Sequence, residues 1–353
     1  MGAVSKVDGF QRRHSVLGFP LAVVYKYFDD QGPYLASALT YYAFIAIFPL
    51  MLLGTSILGL LLRGEPQWQE QILNSALSQF PIIGDELGRP EGLQGSFAGV
   101  AVGGLAALYG ALGLGQALQN TQHVAWSVPR NSRPNPFYAR VKTLLLLLTA
   151  GLSLLAVTVV STIASTTDVF TEVIGDGIKG VLPVITVLVV GTGLSYLFRF
   201  AATGQHSFWR AAPGGYTLAV LWQLLQLGGA AYVDRVLVNT SSMTSTFGLV
   251  LGLIGFLWIG AVMAVLATEI NVVLARRLWP RALLTPFTDN VQLTDADREA
   301  YALYARMQRH KGFEKVVVRW EPGPAEQPEQ PKQPERPDEE RDPAPEPSTR
   351  APG

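Results

Sequence analysis

Long apolar stretches dominate the chain, separated by shorter polar ones, and within them apolar and polar residues do not alternate one by one. Six stretches, at 37–62, 97–118, 143–165, 181–198, 213–233 and 247–274, carry almost no charge. At a rise of about 1.5 Å per helical residue, each can cross a hydrocarbon layer about 30 Å thick. Inside lipid, every backbone N–H and C=O must find a partner within the protein, which leaves helices or a closed barrel. A barrel needs short strands of period two, and these runs lack them. The pattern predicts an all-α fold, a polytopic membrane protein built as a six-transmembrane-helix bundle.

Flanking segments complete the plan. Residues 1–36 are read as a cytoplasmic N-terminus with an interfacial amphipathic helix, because Lys26, Asp29, Asp30 and Pro20 make that segment a poor span. The membrane domain occupies 37–285. In the loop at 63–95, Trp68, Ile72, Leu73, Leu77 and Phe80 recur near helical spacing, which predicts a short amphipathic helix on the outer surface. A cytoplasmic segment at 286–320 contains a short helix opened by the TDAD run at 294–297. The tail, 321–353, holds 10 prolines and 13 charges with little apolar surface, which predicts disorder.

Composition sharpens this picture. Only 15% of the 353 residues are charged, against about 25% in soluble proteins, and mean hydropathy is +0.25. Together with the long uncharged runs, this excludes a soluble globular protein. The chain has no cysteine, so disulfides and thiolate chemistry are absent. Thirteen Lys and Arg residues fall before the first span and after the second, fourth and sixth, against Arg63, Arg89, Lys179 and Arg235 in the other loops. The positive-inside rule then places both termini in the cytoplasm.

Chemistry is sparse. Glu269 lies seven residues before Arg276, within the membrane, where an ionisable group by default marks a pathway or relay. Its functional reading is a proton- or cation-linked carboxylate. Its structural reading is a carboxylate paired with Asn271 or with a basic residue near the inner surface. Gln223 and Gln226 share one face of the fifth span and read as helix glue or as the lining of a hydrated cavity. Tyr41 and Tyr42 read as an entrance lining or as interfacial anchors. Small residues at Gly99, Gly103, Gly110 and Gly113, and at Gly248, Gly252 and Gly255, predict close helix packing, with the second span set against the last. The four histidines are isolated in sequence and there is no P-loop, so neither a metal site, a cofactor nor an ATPase is expected.

Several runs carry a family resemblance: TYYAFIAIFPL at 40–50, ALQNTQHVAW at 117–126, RPNPFYARVK at 133–142 and the final apolar run at 245–271 with its Glu-x-Asn ending. These resemble the YihY/virulence factor BrkB family over about residues 15–285. The resemblance implies a multi-pass protein of the bacterial cytoplasmic membrane with six helices. Some members have been labelled ribonuclease BN, a label we regard as misassigned. Others have been linked to serum resistance, export of lipid intermediates and sodium/proton exchange. No agreed site residues transfer to this chain. The expected function is a transporter or lipid translocator without its own ATPase, with membrane lipids and an ion or lipid-linked cargo as partners and no nucleic acid. The rival is a non-transporting, envelope-organising scaffold, and a membrane ribonuclease is the weakest reading.

Overall fold

A computed structural model of the chain describes residues 2–61, 97–147, 177–204, 207–232, 242–285 and 287–321. The expected outer-loop helix at 63–95, most of the third span and nearly all of the tail lie outside the described residues. The described residues form helices and no strands.

The long helices follow from the uncharged runs. Helix α3 (Gly32–Leu61) has no charged residue in 30, α4 (Phe97–Ala125) covers the second run, and α5 (Gly177–Ala201) and α6 (Phe208–Tyr232) cover the fourth and fifth. Helix α7 (Ser242–Arg276) has 35 residues, about 52 Å at 1.5 Å per residue, and so outruns a bilayer core. Helical residues 136–147 begin the third run. Among the described residues, Val184–Ala201 and Val250–Arg276 are long and apolar enough to cross a membrane by length and composition.

Helix α7 is the hub. It packs against α6, α3 and, less extensively, α4, while α3 pairs with α4 and α5 pairs with α6. The tightest approach of α4 is to α3 and not to α7. A Cβ at Gly110 would meet the Ala46 backbone at 2.8 Å, and one at Gly113 would meet the Tyr42 ring at 2.1 Å. Gly110 and Gly113 therefore face α3, while Ala117 of the same helix packs with Ala261 and Val265 of α7. Next to Gly255, nothing lies within 4 Å of an added Cβ.

Two short helices precede the bundle, α1 (Gly2–Arg13) and α2 (Ser15–Asp29). Helix α2 packs against α7, with Ala22 and Val23 buried in one core cluster beside Val272, Val273 and Trp126. It turns into α3 through Gln31, whose φ of 56° is the left-handed conformation that ends one helix and redirects the chain. The last helix, α8 (Asp295–Met307), starts at Thr294, whose hydroxyl accepts from the Asp297 N–H while the Asp297 carboxylate accepts from the Thr294 N–H. That reciprocal cap satisfies two otherwise orphaned donors. Leu303 then seats α8 against the α2–α7 cluster.

Candidate functional site

The ends of α4, α5 and α7 meet the starts of α3 and α6 at one end of the bundle, joined by polar contacts. Gln122 donates to the Thr268 hydroxyl at 3.0 Å and accepts from the Trp126 indole at 3.1 Å. The Arg276 guanidinium donates to the Trp126 carbonyl at 2.6 Å, and His123 Nε2 lies 2.6 Å from the Thr203 hydroxyl. Gln119 donates to the Thr143 hydroxyl at 2.7 Å, and Lys142 donates to the Ala202 carbonyl at 2.7 Å. This is the basic end of the helices.

At its centre is Glu269, whose exposure is 0%. Its partner comes from the segment read as a poor span: Lys26 Nζ, 1% exposed, lies 3.5 Å from Glu269 Oε2 and 2.5 Å from Asp30 Oδ2. One ammonium thus serves two carboxylates. Glu269 Oε1 and Oε2 and Asp30 Oδ1 are buried and make no hydrogen bond, so the Lys26 ammonium is what offsets the Glu269 charge. Burial pushes the Asp30 carboxyl above its usual range, against the pull of Lys26.

A second ion group adjoins the first. Arg281, fully buried, binds Asp297 through Nε and Asp29 Oδ2 through an amino nitrogen at 3.0 Å. Asp297 also accepts from the Ala282 N–H at 2.9 Å. Burial raises the Asp29 carboxyl, while Arg281 opposes the rise. Two tyrosines of α8 cover the cations. The Tyr304 ring lies 5.1 Å from Lys26 Nζ, and the Tyr301 ring lies 5.4 Å from the Arg281 guanidinium. Arg276 acts electrostatically on Asp30. The ion pairs then join Lys26 and Arg281 to Asp29, Asp30, Glu269 and Asp297. Among the described residues, no group of three or more His, Asp or Glu is arranged to hold a metal ion.

The remaining sequence candidates fall elsewhere. Asn271, buried, accepts from the Gly214 N–H at 2.7 Å, locking α6 to α7 where a Cβ at Gly214 would meet the Ala267 carbonyl at 2.0 Å. Gln223 and Gln226 are half-buried, and they lie about 14 and 18 Å further along α6 than Gly214 at 1.5 Å per residue, away from the charged group. Tyr41 is exposed, whereas Tyr42 packs between Gly113 and the Tyr41 and Tyr109 rings. Gly248 and Gly252 are half-buried in α7. Gly99 and Gly103 are in α4, at positions whose packing lies outside the described residues.

Sequence reasoning missed Lys26, Asp29, Asp30, Arg281 and Asp297 as members of one site. Charges at positions 26, 29 and 30 inside an otherwise apolar segment were the available signal. The sequence reads them as marks of a poor span and an interfacial helix, since the partners Glu269 and Arg281 lie far along the chain.

Comparison with known proteins agrees with this picture. A family model described as virulence factor BrkB matches residues 23–288, from within α2 to just past the last long helix. No curated protein and no solved structure matches the chain. The match spans well over half of the chain, so the protein belongs to the virulence factor BrkB family and is a helical membrane protein.

Proposed function

We propose that this BrkB-family protein is a six-span transporter or lipid translocator of the bacterial cytoplasmic membrane, with both termini inside and no ATPase of its own. The observation that carries the reading is the Asp30–Lys26–Glu269 arrangement, in which two carboxylates share one ammonium within the bundle. An ionisable group on a membrane helix is costly to keep, and a function that needs its charge explains its presence. Carboxylates of this kind can couple proton movement to an ion or a lipid-linked cargo.

The basic loops support the topology. Lys26, Arg133, Lys142, Arg276 and Arg281 come from segments far apart in sequence and sit at one end of the bundle. That end takes the cytoplasmic side by the positive-inside rule. Helix α8 covers the cluster from the same end, with Tyr304 over Lys26 and Tyr301 over Arg281.

A second reading, a non-transporting scaffold, draws on the complete enclosure of Glu269. Flux distinguishes the two. Wild-type protein and Glu269→Gln are reconstituted in proteoliposomes, and ion and lipid movement is followed from pH 5 to 8. The transporter reading expects flux in the wild type, and its loss or loss of its pH dependence in Glu269→Gln. A folded wild type that moves no cargo across that range sinks it. Flux identical in both proteins removes Glu269 from the coupling site.

A further inference from the structure

Beyond the last long helix, the chain makes a second feature that the charged cluster does not explain. After α8 it doubles back onto the turn that follows α4: the Asn131 N–H donates to the Arg309 carbonyl at 3.2 Å, Arg130 Nε donates to Gln308 Oε1 at 3.1 Å, and Arg309 Nε donates to Asn131 Oδ1 at 3.2 Å. Between the two lies an open recess of about 420 Å³. Its walls include Arg306, Arg309 and Lys315, one acid, Glu314, and the apolar Pro129 and Phe313. The Glu314 carboxylate is held by the His310 and Lys311 N–H groups at 2.7 and 3.2 Å, so it is already engaged by its own backbone. Three cations against one engaged acid leave the recess positive.

The apolar side chains at the rim have no such explanation in water. Phe313 is 92% exposed and Val317 is also exposed, interleaved with Lys311, Lys315 and Arg319 along one irregular segment, while Trp320 packs on the Tyr301 ring. Basic residues alternating with exposed aromatic and aliphatic ones suit a surface that is anionic outside and apolar just beneath. The segment is fastened within a few residues of Ala125, the end of a membrane helix, which puts it at the level of lipid headgroups.

We propose that this recess binds the headgroup of an anionic phospholipid, with the phosphodiester between the Arg306 and Arg309 guanidinium groups and Lys315, and Phe313 entering the upper acyl region. Guanidinium forks match phosphate oxygens in two-point hydrogen bonds, and a lysine adds a point charge. The inference rests on the chain's residing in a membrane, and not on its carrying out transport or on which face is cytoplasmic.

The test uses the full chain purified in mild detergent, with native mass spectrometry counting retained phosphatidylglycerol and phosphatidylcholine. The wild type is expected to hold at least one phosphatidylglycerol more than Arg306→Ser/Arg309→Ser/Lys315→Ser, with no difference in phosphatidylcholine. A control, Arg199→Ser/Arg210→Ser, removes two exposed basic residues outside the recess and is expected to match the wild type. Because the triple variant can loosen the docked segment, Phe313→Ser is measured as well. It keeps every charge and is expected to shorten phosphatidylglycerol retention several-fold on dilution into lipid-free detergent. Equal phosphatidylglycerol counts in the wild type and triple variant overturn the proposal. So does an equal loss in the control, which means diffuse charge alone. Inorganic phosphate that displaces the lipid at equal concentration also overturns it, by assigning the recess to a free anion. Transport assays have no part in these outcomes, so a protein that moves nothing can still bind the lipid.

Discussion

Lys26 and Glu269 face each other across 3.5 Å, on helices at opposite ends of the sequence, with neither side chain more than 1% exposed. The ammonium is closer to Asp30, at 2.5 Å, so Glu269 is its weaker partner. This asymmetry makes Glu269 the carboxyl whose substitution leaves the main ion pair in place.

Removing the lysine tests how far the cluster depends on it. Lys26→Met leaves Asp30 and Glu269 buried without their cation, and breaking one side of a buried ion pair costs about 3–5 kcal/mol. The expected result is strong destabilisation in detergent unfolding. Lys26→Met combined with Glu269→Gln is expected to recover part of the loss, because one uncompensated charge has gone. A sum of the two single effects would show that these residues do not interact.

The Asp30 carboxyl predicts a pH dependence. Its folded-state pKa is raised above the ordinary 3.8, chiefly by burial. A carboxyl raised on folding binds its proton more tightly in the folded state, so the stability it contributes is fully present below pH 3.8 and is lost as pH rises through the folded value. Asp29 is raised in the same direction by burial. Stability measured from pH 4 upward is expected to fall less steeply for Asp30→Asn than for the wild type. Parallel curves would mean that Asp30 does not titrate differently in the folded state.

Two glycines should respond oppositely to alanine. At Gly214 an added Cβ would sit 2.0 Å from the Ala267 carbonyl, where neither backbone can yield cheaply. Overpacking of this kind costs about 1–3 kcal/mol or more. At Gly255 nothing lies within 4 Å, and alanine is the better helix former by about 1 kcal/mol. Thermal unfolding in detergent is expected to rank Gly255→Ala at or above the wild type and Gly214→Ala well below it. The reverse order would refute the α6–α7 contact.

Arg281 holds α8 to the bundle through Asp297 and Asp29 together. Arg281→Leu is expected to expose the connection at 283–294 to limited proteolysis while the long helices remain protected. Asp297→Asn is expected to do so more weakly, because an amide oxygen can still accept from the Ala282 and Thr294 N–H groups. A digestion pattern unchanged in both variants would show that α8 is held by its apolar face alone.

Hydrophobic run length and the absence of charge were sufficient to show the helices, because backbone hydrogen bonds within a helix are local and a lipid environment demands that they be complete. The same reading found the basic end, the cap at Thr294 and the unusual position of Glu269. It also found small residues fit for close packing and set those of α4 against α7, whereas Gly110 and Gly113 face Ala46 and Tyr42 of α3. A stripe of glycines says that something comes near and does not say what.

The site was half legible for the same reason. Glu269 stands out within its own helix. Lys26, Asp29 and Asp30 read only as charges that keep their segment from spanning, because Glu269 and Arg281 are distant in sequence, 252 positions for the Asp29–Arg281 pair. The cost of burying a charge depends on what faces it, and that is decided by how α2, α7 and α8 pack together. Sequence pattern determined which segments are helical and which end is basic. Tertiary structure alone brought the three charges of that segment together with Glu269, Arg281 and Asp297 at one end of the bundle.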